Sequence, residues 1–207
     1  MNNLDKLIAL FETFPGVGAR QAKRFAFHVL TMQEDDSKEL AKLISEIKGT
    51  VVECSSCHRF FATSNKETIC SLCHSSNRNH NRLLIVERDS DIQAIERAGV
   101  YDGLYFVFGG TVPLLNAGEN KRLRGGALKA TVEARLSEGL NEVIIGFSIN
   151  PDGENTARFV ESIIGEMLKE KSILISYLGR GLSTGSELEY ADAETIKNAL
   201  KNRSSTS

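Results

Sequence analysis

The chain has 207 residues, of which 41% are hydrophobic and 25% charged, and its formal net charge at pH 7 is −2. These values are typical of a globular protein with a sizeable core, and they exclude a bulk polycation, so any contact with nucleic acid must come from local patches. No stretch is long and apolar enough to cross a bilayer, and residues 1–10 lack the apolar region of a signal peptide. We therefore expect a cytoplasmic protein with no membrane partner.

Two helices joined by a glycine-rich hairpin are predicted at the start of the chain. The first is indicated by apolar residues at helical spacing: Leu4, Leu7, Ile8 and Phe11. The run Phe14-Pro15-Gly16-Val17-Gly18 breaks it, because proline blocks continuation and the glycines permit a tight turn. A second helix is predicted from Ala19 to about Thr31, with four residues facing inward: Ala22, Ala26, Val29 and Leu30. The pattern is that of a helix-hairpin-helix.

Three cations follow this hairpin at helical spacing: Arg20, Lys23 and Arg24. No acidic residue lies between Thr13 and Gln33, so the surface is locally cationic. Glycines let backbone N–H groups approach a phosphate, and the next helix offers its positive N-terminus. We interpret the hairpin as a binding site for the DNA backbone. The alternative is a plain pair of helices with a solvated basic face.

A third helix is predicted to begin near Asp36 or Ser37, where Glu39 is placed for a capping box, and to end at Gly49. Its apolar face comprises Leu40, Leu43, Ile44 and Ile47.

All four cysteines fall within twenty residues, as two CxxC pairs: Cys54 with Cys57, and Cys70 with Cys73. Two such knuckles can place four thiolates at the corners of a tetrahedron, the geometry of a closed structural zinc site. The alternatives are two small disulfides or four unrelated buried thiols. His58 and His74 lie next to knuckle cysteines, and we leave both out of the predicted site.

Residues 75–82 are polar and are interpreted as a boundary, after which apolar strands alternate with helices. The predicted strands are Leu83–Val86, Tyr105–Phe108, Glu142–Phe147 and Ile173–Leu178. The predicted helices are Ser90–Ala98, Ala127–Leu136, Asn155–Lys169 and Asp192–Leu200. This alternation indicates a parallel sheet covered on both faces, an α/β domain.

Acidic residues follow two of these strands. Glu87 and Asp89 come after the first strand, while Asp152 and Glu154 come after the third, beyond the turn Asn150–Gly153. Because functional side chains collect at the carboxyl ends of parallel strands, these acids are a candidate Mg²⁺ site. The alternative is that they favour the N-termini of the helices that follow. A basic loop, residues 119–126 with Lys121, Arg122 and Arg124, is either a DNA contact or a solvated surface.

In order and content these motifs resemble the RecR family of bacterial recombination mediators over nearly the whole chain. The matching segments are Phe14–Arg20 with Lys23 and Arg24, the four cysteines, Leu84–Glu87, Gly103–Tyr105 before Gly109-Gly110, Asn150-Pro151, and Gly181-Leu182 with Glu187–Asp192. Two segments depart from the family pattern: the Asn150–Gly153 turn is shorter, and the loop after Gly110 becomes basic.

The resemblance implies an α+β multidomain protein. Its parts would be a helix-hairpin-helix domain at 1–53, a four-cysteine zinc finger at 54–77, a Toprim α/β domain with a mostly parallel sheet at 78–178, and a C-terminal Walker B-like segment with a helix and polar tail at 179–207.

The resemblance also implies a function, that of a DNA-binding mediator of recombinational repair with no reaction of its own. Such proteins act with RecO and RecF to help load RecA on single-stranded DNA, and they form dimers that pair into a tetrameric ring able to bind single- and double-stranded DNA. The Toprim glutamate corresponds to Glu87, the zinc is structural, and any Mg²⁺ is not expected to be catalytic. The rival class is a Toprim-type Mg²⁺-dependent nuclease or another DNA-processing enzyme.

Overall fold

The computed structural model describes residues 1–114, 123–179, 185, 189, 191 and 193–202. The chain divides into two compact units. The first comprises Met1–Val52 with Ala62–Ser64, and the second comprises Glu53–Phe61 with Asn65–Ser207.

The first unit is built on three helices: α1 (Asn3–Glu12), α2 (Ala19–Thr31) and α3 (Glu34–Thr50). Asn2 caps α1 through a capping box, accepting a 2.8 Å hydrogen bond from the Asp5 N–H. Ala22 and Ala26 of α2 are fully buried, and their small side chains allow a close approach of helices. The edge-on ring contact between Phe11 and Phe25, with centroids 5.8 Å apart, adds to this packing. The two predicted helices are confirmed.

Three details of the first unit differ from the sequence prediction. Leu30 of α2 is 62% exposed rather than inward, and only Ala22 and Ala26 of the predicted inward residues are buried. Helix α3 begins at Glu34 and not at Asp36 or Ser37, with Gln33 as an N-cap that makes no side-chain bond. Its acidic first turn suits the positive helix end without the predicted capping box. The helix also runs through Gly49 to Thr50 instead of ending at the glycine.

Two short strands, β1 (Val51–Glu53) and β2 (Phe60–Ala62), pair in a two-stranded sheet around the first cysteine knuckle. The short helix α4 (Ser71–His74) carries the second knuckle.

The second unit contains a four-stranded, fully parallel sheet in the order β4-β3-β5-β6. Its strands are β3 (Asn79–Val86), β4 (Gly103–Val107), β5 (Glu142–Gly146) and β6 (Leu174–Tyr177). Its helices are α5 (Asp89–Ala98), α6 (Gly125–Leu136), α7 (Pro151–Glu170) and α8 (Ala193–Lys201).

Both faces of this sheet are covered, as predicted. Alternate residues of β3 point to opposite sides: Leu83 and Ile85 pack with Leu128 of α6 and Ile164 of α7, whereas Leu84 and Val86 pack with Ile92 of α5. Leu83–Val86 of β3 and all of β4 are therefore buried on both sides, which explains why the sequence shows continuous apolar runs there and no alternation.

Two predicted elements begin earlier in the structure. The sequence predicts a strand from Leu83, but β3 begins at Asn79, whose N–H donates to the carbonyl of Asp102 at 2.9 Å. The segment Asn150–Gly153 is not a separate turn but the start of α7: the Asn150 side chain accepts from the Gly153 N–H at 2.8 Å. Gly153 is required there, since a Cβ atom would lie 1.9 Å from the Ser148 carbonyl oxygen.

A charged network anchors the start of β3. Arg78 donates from both terminal nitrogens to the carboxylate of Glu96 on α5, at 3.0 and 2.7 Å, and its guanidinium lies over the Tyr105 ring. The Tyr105 hydroxyl donates to the same carboxylate. The bonds from Arg78, opposed in part by burial, hold the pKa of Glu96 below its ordinary value of 4.5.

We predict that Glu96→Gln lowers the thermal midpoint at pH 7 by about 5 °C, because it breaks a half-buried bidentate pair worth roughly 2 kcal/mol. A carboxyl whose pKa is lowered by folding stabilises the protein above its unfolded-state pKa, and this contribution is lost as the pH falls through the folded-state value. The difference between wild type and variant should therefore shrink below pH 4.5, as followed by circular dichroism. Glu133→Gln, on the exposed side of α6, is the control; an equal loss in both variants at all pH values would contradict the prediction.

Candidate nucleic-acid interface and metal centre

The hairpin between α1 and α2 presents an open helix N-terminus. Gly16 has a φ of +77°, a conformation that favours glycine, and the Val17 N–H closes the turn on the Phe14 carbonyl at 3.0 Å. Gly18 is the N-cap of α2 in extended conformation and supplies no side-chain cap, and the first turn of α2 holds no acid. The N–H groups at this end therefore face outward without a side-chain acceptor, which is the arrangement that binds anions.

The three predicted cations lie beside this N-terminus. Arg20, Lys23 and Arg24 are all exposed on α2 and line one open depression of about 770 Å³. Within the described part of the chain, none of the three forms an ion pair. Their charge is thus available to a polyanion.

The four cysteine sulfurs form a compact cluster. Their Sγ atoms all lie within 4.8 Å of one another, and the Cys57 and Cys70 sulfurs are 3.6 Å apart. A tetrahedral Zn²⁺ with Zn–S bonds of about 2.3 Å needs sulfurs about 3.8 Å apart, so the geometry fits. The cysteines form no disulfide, and three are buried while Cys73 is half-buried. Four clustered cysteines can therefore bind a metal such as zinc.

Backbone bonds shape the first knuckle around this cluster. The His58 N–H donates to the Cys54 carbonyl at 2.9 Å, and the Cys54 N–H donates to the Arg59 carbonyl at 2.8 Å. The knuckle ends on His58 in a left-handed conformation, and the His58 Nδ1 lies 2.6 Å from Glu53 Oε1, so the ring belongs to a pair outside the cluster. The Cys70 N–H points at the Cys54 sulfur at 3.3 Å, an outer bond typical of metal thiolates.

The thiols also influence one another's protonation. Bonds from Cys57, Cys70 and Cys73 lower the pKa of the Cys54 thiol, whereas bonds from Cys54, Cys70 and Cys73 raise the pKa of Cys57. The four sulfurs consequently cannot all ionise unless a cation offsets their charge, which is the chemistry of a cation-binding donor set.

The structure does not gather the four predicted acids into one site. Glu87 is 6% exposed, and its carboxylate accepts from Ser148 Oγ at 3.1 Å and pairs with Arg88 at 2.6 Å. Asp89 accepts from the Phe60 N–H at 2.6 Å. Sequence reasoning missed Ser148, although its place just beyond β5 obeys the same strand-end rule that selected Glu87.

The second pair of acids lies in the first turn of α7. Asp152 accepts from the Leu114 N–H at 2.9 Å and so holds the segment after β4, while Glu154 lines a cleft with Arg158 and Tyr177. In the described residues, the four cysteines are the only group of three or more metal-binding side chains that come together. Nothing in this geometry supports Mg²⁺.

The basic loop is described only in part, since Lys121 and Arg122 lie outside the described residues. Arg124 donates to Glu53 Oε1 at 3.2 Å and to the Val107 carbonyl at 3.1 Å. Partial burial raises the pKa of Glu53, but bonds from His58 and Arg124 outweigh it, and the net pKa is lowered. Arg124 is therefore engaged in holding β1 near β4 and is not a free cation.

Three features define the class of this protein: a helix-hairpin-helix, four cysteines clustered as for a metal ion, and a parallel sheet that ends in a buried glutamate. They are the features of a multidomain protein with a Toprim domain. Three family models match in this order: "RecR, helix-hairpin-helix" at residues 4–48, the Toprim domain at 81–179, and "RecR, C-terminal" at 181–204. The chain belongs to the RecR family of recombination proteins.

Full-length relatives agree with these models. Recombination protein RecR of Legionella pneumophila (strain Corby) is 32% identical over 204 residues, which cover 98% of each chain. Recombination protein RecR of Streptococcus thermophilus is 32% identical over 198 residues, covering 96% of this chain and 94% of that protein. The family resemblance and the fold class predicted from the sequence are confirmed. None of the helices in the described ranges has both the length and the apolar character to span a membrane.

Proposed function

We propose that this protein binds DNA through Arg20, Lys23 and Arg24 and mediates recombinational repair in the cytoplasm without a reaction of its own. The observation that carries the proposal is the uncapped N-terminus of α2, followed at once by three cations that form no ion pair in the described part of the chain. Backbone N–H groups and cations on one helix match successive phosphates whatever the base sequence. The family resemblance supplies the wider role: action with RecO and RecF to help load RecA on single-stranded DNA.

We further propose that the protein assembles into dimers and a tetrameric ring on single- or double-stranded DNA. Its support is the apolar face of α3, where Leu40, Leu43, Ile44 and Ile47 are 38 to 65% exposed. Such a face is costly in water and suits contact with another protein surface. One patch of three cations binds weakly, and repetition around a ring multiplies the phosphate contacts. Native mass measurement of the 22.7 kDa chain, with and without DNA, tests the assembly.

The metal is proposed to be structural zinc. Four cysteines complete a tetrahedral shell and leave no open position for water or substrate, unlike a catalytic zinc site. The residue roles are thus Cys54, Cys57, Cys70 and Cys73 as ligands, with Glu87, Asp89, Asp152 and Glu154 proposed at most as partner contacts.

Several contacts support a protein with no reaction of its own. The carboxylate of Glu87 is already bonded to Ser148 and Arg88. Two tyrosines of the second unit, Tyr101 and Tyr105, donate their hydroxyls to the Leu104 carbonyl and to Glu96, and desolvation by burial is the main cause that raises the pKa of both. Incubation of a labelled oligonucleotide with Mg²⁺ tests this; cleavage abolished by Glu87→Gln would establish an enzyme instead.

We predict that Gly18→Ala weakens DNA binding roughly tenfold, through the loss of a charge-assisted hydrogen bond when a Cβ keeps phosphate from the backbone. A Cβ at Gly18 meets no atom within 4 Å, and the backbone there is extended, so the protein should fold. Fluorescence anisotropy with labelled duplex measures the change.

Gly18→Ser separates binding from stability. Serine is a better N-cap than alanine, so it should restore the helix while still carrying the obstructing Cβ. We expect both variants to bind weakly although only the alanine variant is destabilised. Wild-type affinity in Gly18→Ser would show that no phosphate approaches this N-cap.

A further inference from the structure

We propose that the second unit holds a binding site for a phosphate oxyanion, separate from the cations of α2, in a cleft between the cysteine knuckles and helix α6. The cleft has a volume of about 630 Å³, within the range of small-ligand sites. Ser55 and Ser56 line it from the first knuckle, and Thr131, Ala134 and Arg135 line it from α6.

The observation behind this proposal is the incomplete bonding of Arg135. The Arg135 side chain has five N–H donors, and the residue is only 6% exposed. Among the described residues it makes one hydrogen bond, from Nη2 to Ser56 Oγ at 3.0 Å, and its buried Nε has no partner in that part of the chain. Glu138 forms an ion pair with Arg135, but its carboxylate lies 3.8 Å from Nη1, too far for a hydrogen bond, so this pair satisfies none of the N–H donors.

A buried cation in this condition is costly, and an unsatisfied buried donor in a native protein calls for a bound water or ion. Guanidinium binds acceptor-rich oxyanions best, and phosphate is such a group. The hydroxyl groups that line the cleft suit the same ligand. Thr131 and Ser55 carry hydroxyls that can donate, and Ser56 accepts from Arg135 and so keeps its own proton to give.

The lining of the cleft leaves room for such a group. Three of the α6 residues that line it are alanines: Ala127, Ala130 and Ala134. Among the described lining residues, Glu138 is the only carboxylate, and its side chain is 55% exposed, where water screens its charge. A phosphate bound beside Arg135 would lie nearer to the guanidinium than to the solvated carboxylate of Glu138.

A competing role for Arg135 is to offset the metal centre. Four thiolates and one Zn²⁺ carry a formal charge of −2, which a neighbouring guanidinium would balance. The two roles differ in what they require of the cleft: a counter-charge needs no open space, whereas an oxyanion does.

The test uses the full-length, zinc-loaded chain and inorganic phosphate as the probe. We expect binding to the protein to broaden the ³¹P resonance of phosphate. Phosphate at ten times its Kd should also raise the thermal midpoint of the protein by roughly 3 °C. Chloride at equal ionic strength is the control. Ala134→Leu fills the cleft at an exposed helical position and keeps every charge. It should retain the midpoint measured without phosphate and lose both phosphate effects.

The double variant Lys23→Ala/Arg24→Ala keeps this test independent of the DNA proposal, because its response to phosphate should equal that of wild type. On this background, thymidine monophosphate and a short oligonucleotide are compared. Binding of the mononucleotide alone identifies a small-molecule site, and binding of the oligonucleotide identifies a backbone contact; both support an oxyanion site.

Two results would overturn the proposal. One is the absence of any phosphate effect on wild type, with Arg135→Gln losing zinc more readily, which assigns Arg135 to the metal centre. The other is a phosphate effect on the Lys23→Ala/Arg24→Ala background that persists when Ala134→Leu is added, which places the anion outside the cleft.

Discussion

Removal of the metal from the four cysteines should unfold the segment 54–74 and lower the thermal midpoint by roughly 10 °C or more. In a chain of this length each kcal/mol of lost stability lowers the midpoint by about 2–4 °C. The cause is that this segment has almost no apolar core. Its buried cluster consists of Cys54, Cys57 and Cys70, joined only by Phe61, Leu72 and Cys73. Structural zinc sites supply their folding energy through the metal, of order 10 kcal/mol in isolated fingers.

The loss should extend into the sheet. The Val107 N–H of β4 donates to the Cys57 carbonyl at 2.8 Å, and the Phe60 N–H donates to Asp89 at the start of α5. When the knuckle loosens, the Cys57 carbonyl and the Phe60 N–H lose their positions and both hydrogen bonds break, so amide exchange should accelerate at the end of β4 as well as in the knuckles.

The measurement compares Cys57→Ser with Ser55→Ala, a change in the same knuckle that leaves every sulfur in place. Zinc content and thermal midpoint should fall together in the first variant and remain at wild-type values in the second. Since protons compete with the metal for thiolates, the zinc affinity of wild type should decrease as the pH falls. A midpoint that is unchanged after chelation would show that the cysteines act as ordinary core residues.

The metal centre can be predicted from the sequence because its ligands are local. Both halves are CxxC pairs, and a knuckle is a short-range structure whose geometry hardly depends on distant parts of the chain. The same holds for the hairpin, where Pro15, Gly16 and Gly18 fix the turn and the cations follow within two helical turns. The parallel sheet is also predictable, since burial on both faces leaves apolar runs that no surface strand would carry.

The acidic residues could not be placed from the sequence because their surroundings depend on distances between separate elements. The strand-end rule assigns Glu87 and Asp152 to one edge of the sheet but says nothing about what each carboxylate binds. Their partners come from far along the chain: Phe60 lies 29 residues before Asp89, and Leu114 lies 38 residues before Asp152. The exposure of Leu30 escapes prediction for a similar reason, since periodicity gives the face of a helix but not which residues of that face another element covers.

Replacing both Lys23 and Arg24 by alanine should weaken DNA binding about 30-fold near 0.15 M salt. Each phosphate that is no longer neutralised lowers the affinity by a factor of roughly five, and the two factors multiply. These cations are exposed and make no ion pair among the described residues, so the substitutions disrupt no internal ion pair. Thermal stability should therefore be unchanged. Lys169→Ala/Lys171→Ala, at the exposed end of α7, removes the same net charge elsewhere and is the matched control.

The salt dependence of the same variants reports on assembly. On duplex DNA each phosphate left without its cation reduces the slope of log K against log salt by about 0.9, so one bound protomer lacking two cations should lose a slope of roughly 1.8. If a ring places several protomers on the DNA, the decrease in slope should be about 1.8 multiplied by the number of bound protomers. The affinity should then fall by about 30-fold for each of those protomers. A slope change near 1.8 would mean that one hairpin binds DNA at a time. An unchanged slope would mean that α2 does not face the phosphates, and the DNA interface would then have to be sought on another surface.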